Sequence, residues 1–206
     1  MKVGVLASGS GTNLQALLDA QAAGTLAPAT IVVVGSNVEG CGALARATNS
    51  GIPTLFLSHK AFADRNSFDQ ALAARLAQWD VQCLVLAGFM RILTPQFLAG
   101  FPQGVLNIHP ALLPAFPGVH ARKQALDYGV KFTGCTVHFV DAGVDSGPIV
   151  AQTVVPVLAS DTELSLQQRI LTQEHRLFPA AVQAVAAGRV KRYGRKVQIV
   201  GELLPD

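Results

Sequence analysis

Short apolar runs alternate with stretches of helical periodicity along most of this chain. Lys2 to Ala7 is apolar enough for a first strand. The loop Ser8-Gly9-Ser10-Gly11-Thr12-Asn13 follows, and Leu14, Leu17 and Leu18 then recur at helical spacing up to Gly24. Ile31–Val34 predicts a second strand, and the helix after it stops at Gly51. Thr54–Leu57 predicts a third strand. Phe68, Leu72 and Leu76 fall four apart in a helix from Ser67 to Trp79. Val81–Phe89 is a continuous apolar run, the mark of a strand buried on both faces. Thr94-Pro95 opens a short helix, and Val105–His109 predicts the fifth strand.

The second half has a different rhythm. A Pro-rich loop over 112–119 leads to a helix from His120 to Tyr128. Phe132–Val140 and Ile149–Val157 predict two strands joined by the loop Asp141–Gly147, close enough to run antiparallel. Leu164–Ala187 predicts one long helix, and Val190–Val200 a hairpin around Gly194. Strand–helix alternation through the first 110 residues implies a doubly wound, mostly parallel α/β sheet with helices on both faces, followed by antiparallel C-terminal strands. No linker or repeat divides the chain, so one domain over 1–206 is expected.

Composition narrows the class. Half the residues are apolar and 14% are charged, which excludes a disordered chain. No apolar run reaches the ~18 residues of a membrane helix, and the start turns to Gly and Ser too early for a signal peptide. Cys41, Cys83 and Cys135 form no Cys-x-x-Cys pair, which suits reduced thiols and a cytoplasmic location. The net charge of +3 suits small anionic ligands and does not argue for nucleic acid. The basic residues Arg189, Lys191, Arg192, Arg195 and Lys196 read more readily as a solvated hairpin face than as an RNA-binding patch.

The most informative stretch is Asn107-Ile108-His109-Pro110. Period-2 alternation turns Asn107 and His109 to one face, and Pro110 ends the strand directly after them. An amide donor and an imidazole then project together at a strand's carboxyl end, where open α/β sheets carry their chemistry. Asp145 lies in good turn sequence, Asp-Ser-Gly-Pro, and its pairing with His109 is a conjecture at this level. The glycine loop offers backbone N–H groups and a helix N-terminus to a phosphate. It is no dinucleotide fingerprint, since Leu14 stands where a third glycine belongs and Ser36-Asn37 close the second strand. A tight turn capped by Thr12 or Asn13 is the plainer alternative. His59, His120, His138 and His175 show no metal-ligand spacing, so no metal is expected, and no nucleophile elbow is present.

Four motifs stand in order: Ser8–Asn13, Leu86-Ala87-Gly88-Phe89-Met90-Arg91-Ile92-Leu93, Asn107–Pro110 with Leu112-Leu113-Pro114, and Asp141–Pro148. In this combination the chain closely resembles the folate-dependent phosphoribosylglycinamide formyltransferases along essentially its whole length. The resemblance implies formyl transfer from 10-formyltetrahydrofolate to glycinamide ribonucleotide in purine synthesis. It implies that Gly11, Thr12 and Asn13 hold the ribonucleotide phosphate and that Glu174 contacts the same substrate. Met90, Arg91, Ile92 and Leu93 would line the folate pocket, with Arg65 near the folate and Asn107 facing it. Asn107, His109 and Asp145 would be the catalytic trio. Thr12 replaces the usual Ser and keeps the hydroxyl. The N-terminal half would bind the ribonucleotide, and the C-terminal half the folate, in a monomer or weak homodimer.

The residue chemistry fits that reaction. Asn107 can donate to the oxyanion of a tetrahedral intermediate, His109 in its protonated form can donate a second bond, and His109, or a water held by Asp145, can carry the proton. A nearby Asp145 is expected to raise the His109 pKa and fix the ring. Methionyl-tRNA formyltransferases and formyltetrahydrofolate deformylases resemble the trio but carry additional domains, for which 206 residues are short. Sugar-amine formyltransferases and a non-catalytic nucleotide-binding module are the other readings.

Overall fold

The structure, a computed structural model, describes residues 1–204; the last two residues of the expected 1–206 span lie outside the described residues. Five strands follow the alternating part of the sequence: β1 (Lys2–Leu6), β2 (Thr30–Ser36), β3 (Thr54–Phe56), β4 (Cys83–Leu86) and β5 (Val105–His109). They are parallel to one another. β6 (Phe132–Phe139) and β7 (Ile149–Pro156) extend the sheet in antiparallel sense, in the order β3-β2-β1-β4-β5-β6-β7. β8 (Val190–Tyr193) and β9 (Lys196–Ile199) form the expected hairpin as a separate two-stranded sheet.

The helices are α1 (Thr12–Ala22), α2 (Gly42–Asn49), α3 (Arg65–Leu76), α4 (Pro95–Leu98), α5 (Ala121–Tyr128) and α6 (Glu163–Ala186). Two apolar clusters separate them onto the two faces. Val3 and Val5 pack with Leu14, Leu17 and Leu18 of α1, Ala43 of α2, and Leu166, Ile170 and Phe178 of α6. Leu6, Leu84 and Leu86 pack on the other side with Phe68, Leu72 and Leu76 of α3 and Phe97 of α4. Strand alternation therefore divides one sheet between two cores, and burial of each such large side chain stabilises by about 1.5–3 kcal/mol.

Local chemistry sets several boundaries. α3 begins before the expected Ser67 because Asp64 caps it, accepting from the Ser67 N–H at 2.8 Å. α6 is closed by a capping box of Thr162 and Ser165, and its regular span includes Pro179. β4 is shorter than its apolar run: Ala87 still donates to Leu6 O at 2.8 Å, but Gly88 then turns left-handed at φ 78°. The Leu113-Pro114 bond is cis.

Strand order reverses between β1 and β4. Chain segments leaving their carboxyl ends diverge there, so the loop after β1 and the segment after β4 flank one crevice.

Candidate active site

The loop after β1 sits on the first of these ends. Gly11 adopts φ 75° as the cap of α1, and a Cβ there would meet the Ala43 Cα at 2.7 Å, so α2 packs too closely for any side chain. No side chain caps α1, so neither Thr12 nor Asn13 plays the capping role of the plainer reading. The N-terminal turn keeps its positive end free of side chains. Arg46 adds a cation, its Nε donating to Ser10 O at 2.9 Å.

Asn13 turns inward. Its Nδ2 donates to Glu174 Oε2 at 2.7 Å, and its Oδ1 is buried without a partner. Glu174 is 4% exposed. Burial raises its pKa, against the bond from Asn13 and the nearby Arg122 cation. Arg122 Nε is likewise buried without a partner. Two half-satisfied polar groups beside a buried carboxylate are what a hydroxyl-rich or anionic ligand would complete. Sequence reading missed Arg122 and Arg46 because each lies in an ordinary helical pattern.

Asn107 and His109 do share a face of β5. In the antiparallel pairing Asn107 lies opposite His138 and His109 opposite Thr136. His109 is 4% exposed. Its Nδ1 lies 3.2 Å from Asp145 Oδ2, and its Nε2 lies 2.8 Å from the Phe116 carbonyl oxygen. Asp145 has a left-handed backbone, φ 50°, and accepts from the Gly118 N–H at 2.7 Å. The conjectured His109–Asp145 pair is thus formed.

His138 completes the cluster, and the sequence reading passed over it. Its Nε2 lies 3.1 Å from Asn107 Nδ2 and 3.6 Å from Asp145 Oδ1. Its Nδ1 lies 2.9 Å from the Phe139 carbonyl, which fixes the proton on Nδ1 in the neutral ring. Nε2 then accepts one Asn107 N–H, and the second amide hydrogen remains to meet a ligand oxygen. A histidine on a buried strand reads as core, so only its cross-strand partners reveal it.

Asp145 raises the His109 pKa as expected, but burial of the ring is the larger influence. The His109 pKa lies below its ordinary value, not above it: burial lowers it more than the Asp145 carboxylate and the Phe116 carbonyl raise it. Burial pushes Asp145 upward, yet the contacts with His138 and Gly118 and the proximity of His109 outweigh it, and Asp145 stays below the usual carboxylate value. The pair therefore sets a buried imidazole of reduced basicity beside a carboxylate held below its usual range.

The segment after β4 leaves Met90, 70% exposed, and Ile92, 53% exposed, open to solvent. Arg91 Nε is buried without a partner, and the Leu93 side chain belongs to the core. A cleft of about 310 Å³ lies beyond, between α4 and the loop that carries Asp145, lined in part by Leu98, Val105, Val140, Asp141 and Arg192. Arg192 lies over the Phe139 ring at 4.3 Å, so this member of the basic cluster packs rather than standing free. Arg65 is the first residue of α3, exposed and without a side-chain hydrogen bond among the described residues. Burial pushes the Cys83 and Cys135 thiols up to about 12, so neither is a nucleophile. Among the described residues no cluster of His, Cys, Asp and Glu could hold a metal ion, and no helix is long and apolar enough to cross a membrane.

Comparison with known proteins places the fold and the family. A profile described as formyl transferase matches residues 1–182. A phosphoribosylglycinamide formyltransferase of Mycobacterium tuberculosis (strain ATCC 25618 / H37Rv) is 49% identical over 201 residues, covering 95% of this chain and 92% of that protein. The trifunctional purine biosynthetic protein adenosine-3 of Drosophila melanogaster is 48% identical over 91% of this chain, which spans only 14% of that protein's length. The crystal structure of glycinamide ribonucleotide transformylase 1 from Symbiobacterium toebii superposes with a TM-score of 0.95 at 49% identity, covering 98% of this chain and 94% of that one. On the matched profile, the identity and the shared fold, the chain belongs to the formyl transferase family and, within it, to the phosphoribosylglycinamide formyltransferases.

Proposed function

We propose that this chain, as one unit over 1–206, transfers the formyl group of 10-formyltetrahydrofolate to the amine of glycinamide ribonucleotide. The observation that carries the reading is the pairing of His109 with Asp145 at 3.2 Å beside an Asn107 amide with one hydrogen to spare. Gly11, Thr12 and Asn13 would hold the phosphate, with Glu174 and Arg122 on the ribose side. Met90, Arg91, Ile92 and Leu93 would border the folate, Arg65 lying towards its tail. The residues fit that co-substrate: exposed Met90 and Ile92 and the unpartnered Arg91 Nε offer apolar contact and a free donor.

Neutral His109 takes a proton from the attacking amine as the C–N bond forms. Asp145 stabilises the resulting imidazolium, and Asn107 donates to the oxygen on which charge develops. The imidazolium then returns its proton to the departing folate nitrogen, and the formyl carbon–N10 bond breaks. His138 holds the Asn107 amide in the orientation this needs. The compartment in this reading is the cytoplasm, and the assembly a monomer or weak homodimer.

The test is to mix the protein with glycinamide ribonucleotide and 10-formyltetrahydrofolate and follow deformylation of the folate. Formyl transfer that requires the amine supports the reading. Deformylation without the amine would identify a hydrolase, and none in either mixture a binding module.

A further inference from the structure

The two segments that flank the crevice are tied together by one side chain. Ser8, three residues before the Gly11 cap, donates its N–H to Gly88 O at 3.0 Å. Its Oγ accepts from the Met90 N–H at 2.9 Å and donates its own proton to Asn37 Oδ1 at 2.6 Å. Asn37 Nδ2 in turn donates to His59 Nδ1 at 3.1 Å. The chain runs in one direction from the Met90 amide to the imidazole, so each bond polarises the next. Among the described residues no other side-chain hydrogen bond joins residues 8–13 to residues 87–94.

The far end of the same segment is also anchored. Buried Asp69 of α3 accepts from the Thr94 N–H at 2.6 Å. With Leu93 in the core, the segment keeps a fixed course at its rear. Its front is held through Ser8, on the loop that cradles the anion.

From this geometry we infer that Ser8 is a positioning residue that couples binding at the glycine loop to binding along Met90–Leu93. The inference rests on the proposed reading, in which these segments hold the ribonucleotide and the folate. An anion on the N–H groups of Gly11, Thr12 and Asn13 restrains the loop, and with it the Ser8 hydroxyl. That keeps the Met90 amide satisfied and the segment ordered for its own ligand. Without the hydroxyl, the amide loses its acceptor and the segment no longer senses the loop. Coupling between binding sites is reciprocal, so folate binding strengthens ribonucleotide binding by the same factor.

The experiment titrates the protein calorimetrically with an unreactive folate analogue carrying carbon at position 10, with and without saturating glycinamide ribonucleotide. The parent is expected to bind the analogue about fivefold more tightly, or better, when the ribonucleotide is present. Ser8→Ala should reduce that ratio to less than about twofold and raise the folate KM more than it lowers kcat. Ser8→Thr, which keeps the hydroxyl, should restore the ratio. Asn37→Ala removes the acceptor that orients the Ser8 proton and should lower the ratio part of the way; it serves if Ser8→Ala does not fold. An active parent whose ratio is near one, or a Ser8→Ala ratio equal to the parent's, overturns this inference and leaves the proposed function standing. A parent that neither binds the analogue nor transfers formyl overturns both.

Discussion

His109 Nδ1 faces Asp145 Oδ2 at 3.2 Å while its Nε2 faces the Phe116 carbonyl at 2.8 Å, so both nitrogens of a buried ring meet acceptors. Such a ring has every partner an imidazolium needs and yet rests below its ordinary pKa, because burial outweighs them.

One consequence concerns pH. A neutral base requires pH above its own pKa, so kcat/KM should fall on the acid side with a midpoint below about 6.5. Asp145→Asn removes the carboxylate that raises His109. The acid limb should therefore move to lower pH, while the rate at neutral pH drops by about a hundred- to thousandfold. An acid limb that moves upward in this variant would show that Asp145 does not act on His109 as a charge. Stability carries the same sign: between the folded value and about 6.5 the unfolded chain binds more protons at His109, so this site adds stability as pH rises through that window.

Asn107 gives a second prediction. One amide hydrogen goes to His138 and the other is free, and an oxyanion donor of this kind contributes about 3–4 kcal/mol to the transition state. Asn107→Ala should lower kcat by about a hundred- to thousandfold with little change in either KM. His138→Phe keeps the ring volume and removes the partner of the amide, so it should lower kcat by a smaller factor, about tenfold. Steady-state kinetics on both variants decide the order, and a His138 variant slower than the Asn107 variant would mean that His138 acts directly.

Much of this was readable in the chain. Element order followed from periodicity, because Leu14, Leu17 and Leu18, or Phe68, Leu72 and Leu76, bury one face against a sheet whatever else surrounds them. Asn107 and His109 were visible because both lie on one strand, where period 2 decides their face. His138 and Arg122 were not. Their roles come from pairing across strands or from another helix, and no local pattern marks the partner. The net direction of the His109 pKa is hidden for a related reason: the raising effect of Asp145 is legible, but the depth of burial that outweighs it is not.

Gly11 supplies a structural test. Its left-handed φ of 75° costs any other residue, and an added Cβ would reach the α2 backbone at 2.7 Å. Gly11→Ala should destabilise the protein by about 1–3 kcal/mol and raise the ribonucleotide KM tenfold or more, the folate KM changing less. Thermal melts and steady-state kinetics would show both. An unchanged ribonucleotide KM would remove Gly11 from the phosphate site.

Glu174 poses function against stability. Its raised pKa means that the folded chain holds its proton more tightly than the unfolded chain. Between about 4.5 and the folded value the native state binds more protons, so stability from this site is full below the window and is lost as pH rises through it. Above that window the ionised Glu174 is thus a cost to the free protein, borne at a position where Asn13 already supplies one bond. Glu174→Gln keeps an acceptor for Asn13 and removes the charge. The melting temperature should rise relative to the parent at about pH 8 and differ little at about pH 5, while the ribonucleotide KM rises about tenfold or more. Differential scanning calorimetry at the two pH values checks the first part, and a variant that melts lower than the parent at both would show that the carboxylate is stabilising the fold rather than waiting for substrate.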